Sequence, residues 1–321
     1  MSERAELPEG QVADAASGNW VDHYAPAPAR PYLRLSRADR PIGTWLLLIP
    51  CWWGLALAVA ADPQGAGWFD LWIALACAIG AFVMRGAGCT WNDYTDRAFD
   101  AQVARTRSRP LPSGQVSPRQ ALVWMAVQAG LGALVLITFP PVAIALGVAA
   151  LLPVLVYPFA KRFTWWPQAF LGIAFNWGAL VGWAAHGGSL GWPAVLLWAA
   201  GLVWTLFYDT IYAHQDKEDD ALIGVKSTAR LFGDAATPRW LRRFLVLTLA
   251  LAMLAVVLAL RDAPLAAMGL ALAGVWAFGA HLLWQLTRLD TTDTGNCLRL
   301  FRSNRDAGLI LALFLAGAAM V

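Results

Sequence analysis

Asn92, Asp93, Asp96 and Asp100 crowd into the stretch MRGAGCTWNDYTDRAFDAQVARTRSRPL, residues 84–111. Asn92, Asp96 and Asp100 are spaced four apart, so on a helix they share one face, with Cys89 and Arg85 one and two turns earlier on it. Carboxylates this close repel one another unless a cation sits among them. A hard divalent cation such as Mg²⁺ takes oxygen ligands, usually one or two carboxylates plus substrate phosphate oxygens. The plain alternative is an acidic helix end solvated at a membrane surface. Arg97, Arg105, Arg107 and Arg109 follow at once.

A second acidic run weakens that alternative. Residues 208–220 read YDTIYAHQDKEDD, and Asp209, Asp216 and Asp220 are spaced seven and four apart, so they also align on one helical face. Two acidic faces at one membrane surface can flank a polar head bearing several phosphates, bridged by Mg²⁺. Between the runs lies YPFAKR, with Tyr157, Lys161 and Arg162 at a helix end. These basic residues either anchor the helix at the membrane surface or clamp a phosphate and stabilise a departing diphosphate. Arg34, Arg37 and Arg40 recur at intervals of three ahead of the first long apolar run. They form a lipid-headgroup stripe, or one of them turns inward to hold a carboxylate. Arg85 lies inside an apolar helix, where a cation needs a partner, expected to be the first acidic face. Asn176 is either an interhelical hydrogen-bonder or a polar group of a pocket. His186 falls in an outer turn with no expected chemistry.

These groups must be positioned by helices that cross a bilayer. The 321 residues are 59% hydrophobic and only 14% charged, with 18 Trp and a mean hydropathy of +0.52. Nine apolar helices are expected, over residues 42–61, 68–91, 121–138, 142–159, 168–185, 192–213, 241–260, 265–286 and 307–321. The fold class is therefore all-α and polytopic. Of the 24 Lys and Arg, all but Arg85 and Arg261 fall on one side of this arrangement. Cytoplasmic loops are enriched in basic residues, so both acidic runs and the N-terminus are expected in the cytoplasm and the C-terminus outside. Residues 1–30 are polar and rich in Ala and Pro, and read as a disordered cytoplasmic tail without a cleavable signal peptide; residues 31–321 form the membrane domain. Cys51, Cys77, Cys89 and Cys297 show no metal-type spacing and read as reduced thiols. Trp68, Trp72, Trp165, Trp166, Trp192 and Trp240 sit at helix ends as interfacial anchors.

The run from Asn92 to Asp100, NDYTDRAFD, resembles the NDxxDxxxD signature of the UbiA superfamily of intramembrane prenyltransferases. DKEDD at 216–220 resembles its second acidic motif, and YPFAK at 157–161 its YxxxK motif. The phrases MRGAGCTWNDYTDRAFD, RTRSRPLPSG and YDTIYAHQDKEDD look like the bacterial 4-hydroxybenzoate polyprenyltransferases of ubiquinone biosynthesis, over about residues 31–321. The resemblance implies a nine-helix bundle around a membrane-embedded cavity with cytoplasmic cap loops, in a bacterial inner membrane, with a periplasmic C-terminus. It implies Mg²⁺-dependent transfer of a polyprenyl group from polyprenyl diphosphate to the carbon ortho to the hydroxyl of 4-hydroxybenzoate. The partners are then those two substrates and the lipid bilayer, with no nucleic acid. Asp93, Asp96, Asp100, Asp216 and Asp220 would hold Mg²⁺ and diphosphate, Asn92 would order the first motif or ligate the metal, and Lys161 would contact the diphosphate. Arg162 and Arg40, with Arg34 behind them, are candidates for the acceptor carboxylate. Asp209 would orient the phenol or accept a proton.

Two rivals stand beside this reading. Dihydroxynaphthoate, homogentisate and haem prenyltransferases share the acidic motifs, so the acceptor could differ. A cation transporter would also use intramembrane acids, but would place them near the bilayer midplane.

Overall fold

The computed structural model describes Val12 and residues 18–102, 106–222 and 224–321. Among them every regular element is helical. In chain order these are α1 (Trp20–Tyr24), α2 (Arg30–Leu35), α3 (Ile42–Ala61), α4 (Trp68–Asp100), α5 (Pro118–Leu136), α6 (Pro141–Ala149) and α7 (Leu151–Phe163). They continue as α8 (Pro167–Asn176), α9 (Gly178–Gly187), α10 (Trp192–Ala213), α11 (Lys217–Leu222), α12 (Thr228–Ala259), α13 (Leu265–Arg288) and α14 (Thr294–Ala318). Among the described residues seven stretches are long and apolar enough to cross a membrane: α3, α4, α5, Pro141–Phe163, α10, α12 and α13. This bears out a polytopic all-α chain but not the count of nine. The span expected at 168–185 is interrupted at Trp177, leaving α8 and α9 with 10 residues each. The span expected at 307–321 is the apolar half of α14, whose first half carries Arg299, Arg302 and Arg305.

The chain divides into two compact units, residues 1–44 with 79–135 and residues 45–78 with 136–321, where the sequence suggested one domain over 31–321. In the first unit, residues 18–30 are folded rather than part of a disordered tail; residues 1–11 and 13–17 lie outside the described residues. Asn19 caps α1 by accepting from the Asp22 N–H at 3.1 Å. The Trp20 indole donates to the Ala38 carbonyl at 2.8 Å, and Arg34 reaches Asp22 at 2.6 Å. Val21, Ala25 and Ala38 close a small core with Leu33. Enough apolar and paired polar surface is thus present to order a segment whose composition reads as loose.

The Asp22 carboxyl is pulled two ways. Burial raises its pKa, while hydrogen bonds from Arg34 and Asn19 lower it, and the net value lies below the ordinary 3.8. A depressed folded pKa means the stabilisation is present above the ordinary carboxylate range and is lost as pH falls through the folded value. Asp22→Ala is therefore expected to release residues 18–38 at neutral pH, because it removes the carboxylate that the Arg34 guanidinium and the Asn19 amide hold. Limited proteolysis should cut this segment at least about tenfold faster than in the parent, an opening cost of roughly 1.4 kcal/mol or more.

Also within this unit, α4 and α5 approach closely at Gly86. A Cβ there would run into the Gln128 amide and come within 3.0 Å of Ser36 Cβ. The Ser36 hydroxyl accepts from the Trp124 indole at 2.8 Å and pairs with Gln128 Oε1 at 2.9 Å. Leu35, Leu111, Val116 and Ala121 pack beside it with Tyr32, Tyr94 and Trp124.

The second unit is built on tryptophan. Trp53 and Trp204, both buried, pack at a tilt of 35° with centroids 5.0 Å apart, and Phe278 meets each edge-on. Their indoles donate to the Gly308 carbonyl at 2.9 Å and to Asn304 Oδ1 at 2.9 Å, tying α3 and α10 to α14. α3 crosses α9 through small residues: a Cβ on Gly54 would overlap the Ala179 carbonyl, and one on Gly182 would overlap the Cys51 carbonyl and lie 3.0 Å from Leu55 N. Gly178 and Gly182 form a GxxxG pair that lets the backbones touch. Of the expected interfacial tryptophans, Trp68 and Trp192 are exposed. Trp166 and Trp240 instead pack with Phe232 and Phe244 in an aromatic cluster. His186 has a role the sequence did not suggest. Its ring bridges Asp70 at 2.7 Å and Asp62 at 3.2 Å, fastening the α3–α4 connection to the end of α9.

Candidate active site

The first acidic run is helical to its end. α4 continues nine residues beyond Trp91, the last residue expected of its membrane span, and so carries Asn92 to Asp100 as one rigid face. The Asn92 amide donates to Asp96 at 3.3 Å, so the four-residue spacing does bring these two together. Asp93 and Asp96 are fully buried and Asp100 nearly so. Carboxylates in that setting need counter-charge, and arginines supply it. Arg37 donates to Asp93 at 2.6 Å. Arg109 donates to Asp100 at 2.9 Å and lies 3.4 Å from Asp93. Thr106 secures the helix end by donating to the Asp100 carbonyl at 2.8 Å.

Arg37 and Arg109 are therefore the partners of the first acidic motif that sequence reasoning missed. The signal for Arg109 was its place in RSRPLPSG, directly after the acids. For Arg37 it was the arginine triplet, where Arg34 and Arg40 were put forward instead. Arg34 is buried against Asp22, and Arg40 pairs with buried Asp39 at 3.0 and 3.2 Å. The middle arginine turns inward. Arg85 lays its guanidinium over Gly43, where a Cβ would collide with it.

The second acidic run, in the other unit, departs from the expected single helical face. α10 stops at Ala213, and Asp216 precedes the short α11. Asp209, within α10, is thus out of line with Asp216 and Asp220. Those two remain one turn apart, the Asp220 N–H reaching the Asp216 carbonyl at 2.8 Å. The cause of the break is a polar tether. His214 is buried with Nε2 3.1 Å from the Thr237 hydroxyl and Nδ1 3.4 Å from Asp234. Lys217 pairs with the same Asp234 at 2.7 Å. Burial pushes the His214 imidazole down to about 4, with Lys217 adding to the shift and Asp234 opposing it, so the ring is neutral at neutral pH.

The chain after Asp220 is stitched to the end of α7, which carries Tyr157 and Lys161. The Lys226 N–H donates to the Lys161 carbonyl at 3.2 Å, and the Thr228 N–H to Gln168 Oε1, at the start of α8, at 3.2 Å. Arg230 donates to the Asp220 carbonyl at 3.2 Å and to the Val225 carbonyl, and covers the Trp165 ring at 5.4 Å. The second acidic motif and the YxxxK segment are thus one local assembly. Arg162 is exposed, with its guanidinium over Phe159. Asn176, put forward for substrate, is buried between helices, donating to the Gly172 carbonyl at 2.9 Å and Thr205 at 2.8 Å. Among the described residues no three His, Cys, Asp or Glu side chains converge on one metal position; in the first motif Asp93 and Asp100 meet arginines and Asp96 meets the Asn92 amide.

Helices long enough to cross a membrane, two acidic motifs at helix ends and basic side chains around them define a class of intramembrane protein that handles phosphorylated ligands. Residues 47–304 match the UbiA prenyltransferase family, and the chain belongs to that family. A mouse protein named 4-hydroxybenzoate polyprenyltransferase, mitochondrial, is 48% identical over 91% of this chain and 76% of its own. The human protein of that name is 46% identical over 95% of this chain and 80% of its own. The fold is similar to a UbiA homolog from Archaeoglobus fulgidus bound to GPP and Mg²⁺, with a TM-score of 0.69 and 19% identity, covering 91% of this chain and all of that one. It is also similar to the apo UbiA homolog from Aeropyrum pernix K1, with a TM-score of 0.63 and 23% identity, covering 86% and 96%.

These relatives correct the expected compartment. They are mitochondrial by name, so the bacterial inner membrane, and the cytoplasmic and periplasmic labels that went with it, are not supported. Basic residues sort loops to the two sides of a membrane, but they do not say which membrane it is.

Proposed function

We propose that the protein transfers a polyprenyl group from polyprenyl diphosphate to the ring carbon ortho to the hydroxyl of 4-hydroxybenzoate, releasing diphosphate. The observation that carries this reading is identity near one half, along nine-tenths of the chain, to relatives named for that activity. Both acidic motifs and the YxxxK segment are intact beside it.

The donor set suits a hard cation. Asn92, Asp93, Asp96, Asp100, Asp216 and Asp220 offer only oxygen atoms to a metal, the preference of Mg²⁺ over softer ions. When bound, Mg²⁺ would neutralise the diphosphate as a leaving group. Lys161 binds a diphosphate oxygen and stabilises the charge that builds on it as the allylic C–O bond breaks. The bond electrons leave with the diphosphate. The ring carbon of the acceptor then supplies the pair for the new C–C bond, and the ring proton departs to restore aromaticity. Arg40 or Arg162 holds the acceptor carboxylate, and Tyr157 and Asp209 orient the substrates. Arg34 and Asn176 drop out of this assignment because both are buried, against Asp22 and against Gly172 with Thr205, whereas Arg40 stays partly exposed beside Asp39.

The test uses purified full-length protein in detergent with a polyprenyl diphosphate, 4-hydroxybenzoate and Mg²⁺. Prenylated 4-hydroxybenzoate is expected by mass, and EDTA should abolish it, with activity returning on excess Mg²⁺. Product with homogentisate or dihydroxynaphthoate alone would overturn the acceptor. No product with any aromatic acceptor, from protein shown to be folded, would overturn the reaction.

A further inference from the structure

Arg37 has the left-handed backbone of the turn that ends α2, with φ 57°, and is the only non-glycine residue with positive φ among the described residues. The turn is a Schellman motif: the Ala38 N–H reaches the Leu33 carbonyl at 2.9 Å and the Arg37 N–H the Arg34 carbonyl at 3.0 Å. Glycine fills this position in most such turns because a side chain is strained there. An arginine held in that strain points to a use for its side chain.

The side chain supports this. The guanidinium is buried, and one amino group, Nη2, donates to Asp93 Oδ1 at 2.6 Å. The other, Nη1, is buried and makes no hydrogen bond. Buried donors of a cation are rarely left unmade without a reason. The turn thus delivers a guanidinium to Asp93 that uses one of its two amino groups there and leaves the other buried and unmade.

Building on the proposed reaction, we infer that Arg37 is a positioning residue and internal counter-ion. It orients and neutralises Asp93 before a divalent cation binds, and offers Nη1 to an anionic oxygen that arrives with substrate. That oxygen belongs to the diphosphate of the donor or to the carboxylate of the acceptor. The two binding events should respond to loss of Arg37 with opposite signs. Removing a positive charge beside Asp93 favours a cation alone, whereas an anionic oxygen loses a charge-assisted donor.

Arg37→Gly is the informative variant, since glycine keeps the turn and relieves its strain. Arg37→Ala removes the same guanidinium but leaves a Cβ in the strained position. Each full-length variant is titrated with Mn²⁺ by electron paramagnetic resonance, then with pyrophosphate in the presence of Mn²⁺ by calorimetry. Thermal melting and the KM for each substrate complete the set. In Arg37→Gly, Mn²⁺ alone should bind as well as in the parent or tighter, and pyrophosphate about tenfold or more weakly, with the donor KM rising in step. Arg37→Ala should match it in binding while melting lower. A raised acceptor KM with unchanged pyrophosphate binding would assign Nη1 to the carboxylate instead. Mn²⁺, pyrophosphate and both KM values all within twofold of the parent would overturn the inference. So would loss of Mn²⁺ and pyrophosphate binding together with collapse of the Arg37→Gly melt, which is the mark of a structural residue only. If the parent binds Mn²⁺ and pyrophosphate but prenylates no acceptor, the reaction reading fails while these titrations still decide the role of Arg37.

Discussion

Asp96→Asn is expected to lower prenyl transfer by about three orders of magnitude while the protein remains folded. Asp96 is buried on α4 and accepts the Asn92 amide at 3.3 Å. Asparagine keeps the shape and one oxygen acceptor, so the helix face and that contact survive. The negative charge does not. Charge stabilisation by a catalytic metal is worth several kcal/mol, and each 1.4 kcal/mol is tenfold in rate, which gives about three decades for a weakened site. The measurement is product by mass at saturating donor and acceptor, with a melting curve beside it. Raising Mg²⁺ should restore part of the loss, since the other oxygen ligands remain. A variant working within tenfold of the parent at low Mg²⁺ would remove Asp96 from the metal set.

Gly54→Leu should be the most damaging single change to stability away from the acids. A Cβ at Gly54 would overlap the carbonyl oxygen of Ala179 and lie 2.8 Å from its carbonyl carbon. The obstacle is backbone, so no rotamer change relieves it, and α3 and α9 must part. Overpacking costs about 1–3 kcal/mol where side chains can yield, and separating a helix pair at its closest approach should exceed that. We expect a loss of about 3 kcal/mol or more in an unfolding titration. Gly130→Ala, in α5 with open space around its Cβ, is the matched control. It should be neutral or stabilise by roughly 0.5–1 kcal/mol, because alanine is the better helix former. Equal melting of the two variants would mean that the α3–α9 contact does not hold the fold.

Local order was largely legible. α3 and α10 begin and end where the apolar runs do, Ile42–Ala61 and Trp192–Ala213, because an apolar stretch of about twenty residues in lipid must satisfy its backbone as helix. α6 ends at Ala149, four residues before Pro153, and a proline leaves the carbonyl four residues back without its N–H donor and crowds it. The interruption at Trp177 was less visible; its indole is held by the Leu146 carbonyl at 2.8 Å, a contact distant in sequence.

By itself the sequence determined the chemistry available: oxygen donors at helical spacing, a basic segment between them, and apolar helices to carry both. Spacing alone brought Asn92 and Asp96 together, because both lie within one unbroken helix. It could not align Asp209 with Asp216, since that needed α10 to continue through a segment that His214, Asp234 and Lys217 pull aside. Nor could it choose among Arg34, Arg37 and Arg40, which are equivalent by type and interval. That choice was made by a left-handed turn and by the carboxylates each arginine meets, Asp22, Asp93 and Asp39. A buried charge takes the partner that the packed chain presents to it, and two of those partners lie far from their arginine in sequence.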